Sequence, residues 1–430
     1  ASGTPFSGYV HQTDDGLTVL ELEPADPADQ DIAGFLADAL AGFDAIRAQS
    51  ELRAKAQTAT ALFRGLTGYD RVMIYQFGPD WHGEVIAESR RADLTPYLGL
   101  HYPASDIPAQ ARRLYLINRA PIIVDVNYQP AQLLPELNPV TGRALDLSRS
   151  LLRSVAPVHR EYLRNMGVQA TLAASLIRDG QLWGLLACHH QQPRTASRAM
   201  RELVDWMAQD LAGQLALVEE QRTRRYITHL KDCREQALNV VRRAGSLEAL
   251  LTGPEQSGVR SALGAEGLAL ARGTELFTSG ATPDHASIRT LISDLKALHA
   301  DDPSGLFVTD CLSRRLPWTA DIAATAAGLI RVPLETRPAT LLLGFRGEYL
   351  RQMTWGGNPD KALDQTPDGR LSPRRSFAAW AQTVRRHSLR WTDEELQSAR
   401  DLAALLDNEM RRNRERELRL LHQSIAHLND

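Results

Sequence analysis

The chain has 430 residues, enough for two or three domains, and its 43% apolar content can build a sizeable core in each. Its net charge of −3 excludes bulk electrostatic attraction as a route to nucleic acid, and no apolar run has the length of a membrane span or the form of a signal peptide. Three widely separated cysteines, Cys188, Cys233 and Cys311, match no zinc spacing and suit a reducing cytoplasm better than a disulfide scaffold. The first residue is Ala1 rather than methionine, as expected of a fragment or a processed chain.

Residues 1–24 alternate in polarity around Asp14-Asp15-Gly16 and predict a hairpin, which needs a larger partner to be stable in water. A proline-containing linker follows. Apolar residues at helical spacing predict helices over 31–48 and 50–67, then strands over 71–77 and 83–88. Residues 118–148 carry Pro121, Pro130, Pro135 and Pro139 with little periodicity, more an excursion with a purpose than a simple connection. Strands over 170–177 and 182–190 flank the Asp179-Gly180 turn. An antiparallel sheet flanked by helices, an α+β fold, is the expected result.

From Arg194 to Arg243 there is no proline and a single glycine, Gly213, so one very long helix is expected. At 1.5 Å per residue, about 45 residues span roughly 70 Å, more than one domain, so this helix should join two. Residues 245–390 predict a second α+β domain with strands over 306–308, 328–333 and 340–345. Residues 347–388 then hold the turn signals Trp355-Gly356-Gly357-Asn358-Pro359 and Thr366-Pro367-Asp368-Gly369. The arm after them fits both periods. Phe377, Trp380, Ala381 and Val384 share a helical face, while Phe377, Ala379, Ala381 and Thr383 share a strand face, so it is either a bistable element or a weakly specified strand. Thr392 and Glu395 form a capping box for a last helix, whose Leu396, Ala399, Ala403, Leu406, Met410, Asn413 and Leu420 approximate a heptad seam. That seam fits a coiled coil or packing on its own domain.

The stretch Leu98 to Arg112 organises the rest. Pro103 and Pro108 fix the backbone on both sides of Asp106, and Pro108 suits the start of a helix over 109–115. Taken alone this is also the pattern of an ordinary capped loop. It does not stand alone: Pro103-Ala104-Ser105-Asp106-Ile107-Pro108 resembles the signature of the bacterial phytochromes. The resemblance continues at Asp70 to Tyr75, at His159 to Val168, at Leu182 to His190, at Trp355-Gly356-Gly357 and at Pro373 to Phe377, in that order over about 300 residues.

The resemblance implies a GAF chromophore domain over 31–215 and a PHY domain over 216–391. It makes 347–388 the PHY tongue, 392–430 a signalling helix toward an output domain, and 1–24 the end of a PAS domain. The excursion after Asn118 is then the family's lasso, through which an N-terminal segment threads; without that segment it stands empty. The implied function is a red/far-red photoreceptor that holds biliverdin, a linear tetrapyrrole, and switches between two states. It implies no enzyme activity within the chain, a homodimer through the long helices, and a cytoplasmic location.

Such a pigment needs an aromatic wall, cations for two propionates and acceptors for pyrrole N–H groups. Tyr75, Tyr102 and Tyr162 with Met73 and Met166 can build the wall, or an ordinary core. Arg153 can clamp a propionate, with Tyr115 adding a hydroxyl. The resemblance assigns the Asp106 carbonyl to the pyrrole N–H groups and the Asp106 side chain to Arg374 of the tongue. It sets His159 near the pyrrole nitrogens and His189 at the terminal ring carbonyl. Ile107 and Thr171 join the pocket, and Ser376 and Trp355 join Arg374 in the tongue contact. The implied switch isomerises the pigment, exchanges hydrogen bonds between His189 and Asp106, and biases the tongue. Ala156 and Ala173 depart from the family, where hydroxyls are common. His101 and His190 read as structural, and no spacing of histidines and acids fits a metal site.

Attachment is the one chemical step the family adds. Val158 stands where plant and cyanobacterial relatives place a cysteine, and the bacterial cysteine precedes the PAS domain. Cys188 points opposite to His189 by strand alternation. Non-covalent binding, or none, is therefore expected. The competing readings are a GAF-type sensor of another small ligand, such as a cyclic nucleotide, and a purely structural dimerisation module. The tongue motif speaks against the first, the pocket residues against the second. No nucleophile–base set or phosphate loop supports an enzyme.

Overall fold

The computed structural model describes residues 5–25, 32–253, 256–298, 305–336, 339–357, 363–365, 371–373, 377 and 379–429. The chain divides into two compact units, 1–221 with 353–382, and 222–352 with 383–430.

In the first unit, β1 (Phe6–Gln12) and β2 (Thr18–Pro24) pair as the expected hairpin, with Gly16 at φ 85° in the turn. Helices α1 (Ile32–Arg47) and α2 (Leu52–Thr67) follow. Gly68, at φ 65°, closes α2 by donating its N–H to the Arg64 carbonyl, the left-handed cap that glycine provides at least cost. Then come β3 (Arg71–Phe77), β4 (Gly83–Arg90), β5 (Leu100–Tyr102), α3 (Ala109–Ile117), β6 (Ile122–Ile123), α4 (Pro157–Asn165), β7 (Ala170–Arg178) and β8 (Gln181–His190). The sheet order β5-β4-β3-β8-β7-β6 is antiparallel throughout.

Strand alternation divides this sheet into two faces. Val72 and Ile74 of β3, Leu172 and Leu176 of β7, and Leu186 and Cys188 of β8 enter one core with α1, α2 and the start of α5 (Arg198–Ala244). Met73, Tyr75 and Leu185 point the other way, into a second cluster. The sheet thus has a structural face and a face left for a site.

The second unit takes in the rest of α5, then α6 (Ala249–Thr252), α7 (Gln256–Ala262), β9 (Gly267–Arg272), β10 (Glu275–Gly280), α8 (His285–Leu298), β11 (Phe307–Thr309), α9 (Ala323–Ala326), β12 (Gly328–Leu334) and β13 (Thr340–Arg346). Its sheet runs β10-β9-β13-β12-β11, all antiparallel. The sequence patterns announce β11, β12 and β13 but not the β9–β10 hairpin or α8. After β14 (Arg351–Gly356), β15 (Leu363–Gln365), β16 (Leu371–Pro373) and β17 (Ala379–Val384), α10 (Asp393–Asn429) ends the chain. The doubly patterned arm is a strand here, β17.

The capping box of α10 forms in both directions. The Thr392 N–H donates to Glu395 Oε2 at 2.8 Å, and the Glu395 N–H donates to Thr392 Oγ1 at 3.3 Å. Of the two readings of the heptad seam, its first half takes packing on its own domain: Leu396, Ala399, Ala403, Leu406 and Met410 pack into the core of their own unit. Beyond Met410, Leu418, Leu420 and Leu421 are exposed.

Candidate functional site

The second cluster collects side chains that are far apart in sequence. Met73, Tyr75, Val85, Tyr97, Leu100, Tyr102, Leu182 and Leu185 are buried together, and Ile107, Tyr115, Met166 and Phe377 pack against them. Tyr75 and Tyr102 lie with ring centroids 6.0 Å apart. Two glycines make room for them. A Cβ on Gly83 would sit 1.9 Å from the Tyr75 ring, and one on Gly356 would sit 2.6 Å from the Tyr102 ring. β14 pairs in parallel with β5, so Trp355 stands opposite His101, with ring centroids 5.9 Å apart.

Pro103 begins a single 3-10 turn, Ala104–Asp106, and the Asp106 N–H donates to the Pro103 carbonyl at 3.0 Å. Pro108 is the N-cap of α3, with extended backbone, one residue before the first helical position that the sequence suggested for it. Arg112 fastens the turn from one helical turn on: its Nη1 donates to the Ile107 carbonyl at 2.6 Å, and its guanidinium lies 4.5 Å from the centre of the Trp81 ring. The Asp106 carboxylate faces the site, where Tyr162 Oη donates to its Oδ2 at 2.8 Å. Tyr162 stacks on His159 from within α4 and meets Phe377 edge-on, with ring centroids 4.9 Å apart. The expected Arg374 partner of Asp106, and Ser376, lie outside the described residues.

His159 and His189 are both kept neutral near pH 7. Burial pushes His159 down, while burial, the Arg71 charge and His159 push His189 down to about 3. His189 Nδ1 and Arg153 Nε are buried and, among the described residues, meet no hydrogen-bond partner. Tyr115 is held above the usual phenol range by burial, an effect the nearby Arg153 charge opposes. Thr171 stands across the ladder from His189 on the site face. Ala173 shares that face without a hydroxyl, and Ser175 spends its own on the Tyr115 carbonyl at 2.7 Å. Ala156 is the N-cap of α4 and offers no side-chain bond there. His190 pairs with Asp70 at 2.9 Å on the rim, a structural role as expected. No group of histidine, cysteine and acidic side chains that could hold a metal occurs among the described residues.

The sequence-predicted pocket residues all belong to the first unit: Tyr75, Thr171 and His189 on one sheet face, Tyr102 on β5, Asp106 and Ile107 in and after the 3-10 turn, Tyr115 on α3, Arg153 in the segment before α4, His159 and Tyr162 on α4, and Met166 at its end. Sequence reasoning missed a buried pair beside them, Arg71 and Glu88, with Tyr97. A partial signal was present: an acid, Glu88, directly after the apolar run Val85-Ile86-Ala87.

Such a site suits a long, flat, conjugated anion. It offers aromatic walls, a half-buried arginine and neutral imidazoles, with buried nitrogens on Arg153 and His189 that need partners. Comparison with known proteins points the same way. Residues 51–218 match the GAF domain model and residues 230–415 the phytochrome region model. A bacteriophytochrome of Xanthomonas campestris is 39% identical over 96% of this chain, and the phytochrome-like protein of Synechocystis sp. is 38% identical over 99%. The chain spans 66% of the first relative's length and 56% of the second's. A crystal structure of a bacteriophytochrome from R. palustris matches with a TM-score of 0.79 at 35% identity, covering 94% of this chain and 80% of that one.

Proposed function

This chain belongs to the phytochrome family, and from that premise we propose that it is a red/far-red photoreceptor part that holds biliverdin. The observation that carries the reading is a pair of buried polar atoms, Arg153 Nε and His189 Nδ1, that meet no hydrogen-bond partner among the described residues, in the same unit as the aromatic cluster. An unpaired buried donor or acceptor costs about 1–3 kcal/mol, so these atoms call for a ligand with matching oxygen and nitrogen groups.

The bound bilin supplies light absorption and isomerisation about a methine double bond. The protein supplies the rest. Arg153 and Tyr115 hold a carboxylate, and Met73, Tyr75, Tyr102 and Tyr162 enclose a flat ring system. His159 and His189, both neutral, present one N–H and one lone pair each, while Ile107 and Thr171 close the wall. The Asp106–Tyr162 bond and the Tyr162–Phe377 contact tie the site to residue 377, so a change at Asp106 has a physical route into the tongue. Phe377 against Tyr162 and Trp355 against His101 are contacts that two light states can exchange.

The partners in this reading are a second copy of the chain and an output domain served by α10. Trp206 and Leu217, eleven residues apart on α5, share one helical face and are exposed, and Leu36 and Leu40 of α1 are exposed in the same way. Phe43 of α1 meets Trp206 edge-on, with ring centroids 5.8 Å apart, so the two helices offer one apolar surface. Free thiols at Cys188, Cys233 and Cys311 suit a cytoplasmic location. No helix among the described residues is long and apolar enough to cross a membrane.

One experiment tests the reading. The purified chain is mixed with biliverdin and its spectrum followed under alternating red and far-red light. A red or far-red band that shifts reversibly is expected; binding without any light-driven change, or no binding, overturns it.

A further inference from the structure

Arg71 and Glu88 lie on the site face of the sheet, beside the residues given a role above, and both are buried charges. Arg71 Nη1 meets Glu88 Oε1 at 2.6 Å, and its guanidinium carbon sits 3.6 Å from the centre of the Tyr97 ring. Its Nη2 donates to the Thr95 carbonyl at 2.7 Å. The Glu88 carboxylate takes more than the arginine. The Tyr97 N–H donates to both its oxygens at 3.1 and 3.0 Å, and the Leu98 N–H donates to Oε2 at 3.2 Å. Residues 95–98 are thus pinned from the sheet at four points, immediately before Gly99 and the Leu100 to Asp106 stretch.

The pair also touches the other end of the site. Arg71 and His189 are register partners across β3 and β8, and Thr171 is the next partner across β7. Arg71 shares its strand face with Met73 and Tyr75. A fixed cation therefore stands in the same row as His189, with the Glu88 carboxylate to balance it.

We propose that Glu88 is a positioning residue of the site, setting the Leu100–Asp106 wall through the Tyr97 and Leu98 amides and balancing the Arg71 charge beside His189. This rests on the photoreceptor reading given above. Besides a longer approach of Arg90 Nε at 3.8 Å from the same strand, the short contacts of this carboxylate all go to the segment entering the wall or to the row of His189, which exceeds what holding a strand edge requires. Glu84, earlier on the same strand, pairs instead with the exposed Arg53 at 2.7 Å.

Two variants separate the roles. Glu88→Ala removes both tether and charge; Glu88→Gln keeps an oxygen for the amides and loses only the charge. Amide hydrogen exchange on the pigment-free chain reads the tether, and the absorption spectrum after biliverdin addition reads the charge. In Glu88→Ala, exchange at Tyr97 and Leu98 should rise about tenfold, as loss of one well-placed bond implies, with β7 and β8 amides close to the parent. In Glu88→Gln those amides should stay protected while the pigment band and its light-driven difference spectrum shift. Parent-like exchange in Glu88→Ala, or a parent-like spectrum in Glu88→Gln, overturns the proposal. A parent chain that takes up no biliverdin overturns the photoreceptor reading instead, and the exchange result still decides whether Glu88 holds the wall.

Discussion

At the residue scale, single atoms of the site make distinct demands. Ala156 caps α4 without a side-chain acceptor, although Pro157 already supplies the preferred first residue. Ala156→Ser would offer an oxygen to the backbone N–H of His159 and should stabilise the chain by about 1 kcal/mol, read as a rise of about 2–4 °C in the first unit's thermal midpoint. An unchanged or lower midpoint would show that the helix start cannot use the hydroxyl. The neutral histidines make a second demand, with a defined sign. Their folded pKa values lie below the unfolded value of about 6.5, so the unfolded chain binds more protons. Their contribution is complete above about pH 6.5 and is lost as pH falls from there toward about 3 for His189. Each pH unit inside the His189 window costs at most about 1.4 kcal/mol, and His159 adds to the loss with the same sign. His189→Gln should flatten the acid limb of urea-unfolding stability, and an equally steep limb in the variant would contradict the assignment. The family was legible because proline, aspartate, histidine and arginine stand in distinctive short runs, and the resemblance they carry implied the site residues. Arg71 and Glu88 were not legible, because one charge in a strand reads as a solvent-facing position until the partner strand shows that it faces inward.

At the element scale, the second unit is fastened by one arginine. Arg346 Nη2 meets Glu395 Oε1 at 2.6 Å, its Nη1 donates to the Leu389 and Arg390 carbonyls at 3.1 and 2.8 Å, and its Nε donates to the Gly264 carbonyl at 2.6 Å. Tyr226 Oη of α5 donates to the same Glu395 oxygen at 2.6 Å, and Trp391 lies under the guanidinium with its Nε1–H on the Leu263 carbonyl. The start of α10 is thereby locked to α5 and to the end of β13. Arg346→Met would strand a buried carboxylate and should cost about 3–5 kcal/mol in chemical denaturation. The double variant Arg346→Met with Glu395→Leu should cost clearly less than the two singles together; strict additivity would show that the pair is not coupled. Thr392 and Glu395 announced this helix start, since a capping box is a local signal. The first half of the heptad seam belongs to the unit's own core because a period near 3.5 is shared by coiled-coil seams and by helices laid on a sheet. The β9–β10 hairpin escaped notice for a related reason: Gly267-Leu268-Ala269-Leu270-Ala271 alternates only between large and small apolar residues, with no polar face to mark the period.

At the scale of the whole molecule, the three thiols are distributed so that none addresses the site. Cys188 is fully buried in the core on the far side of the sheet, while its neighbour His189 faces the site, as strand alternation requires. Burial pushes its thiol up to about 12, which removes the thiolate that addition to a vinyl group needs. Cys233 belongs to the core of the second unit and Cys311 is buried in that same unit, whereas every described pocket residue belongs to the first. Val158, next to His159 on α4, has no nucleophile to offer. Biliverdin held by this chain should accordingly be released when the pigmented protein is unfolded in acid, and the protein mass should equal that of the untreated chain. Alkylation under native conditions should modify the thiols slowly and leave pigment uptake intact, since reaction at a buried thiol waits for local opening. A mass increased by one bilin after acid unfolding would refute this, and peptide mapping would identify which thiol reaches the pigment. Fast alkylation of Cys188 that also blocks uptake would show instead that β8 opens toward the site, reversing the two faces on which the assignment of His189 depends.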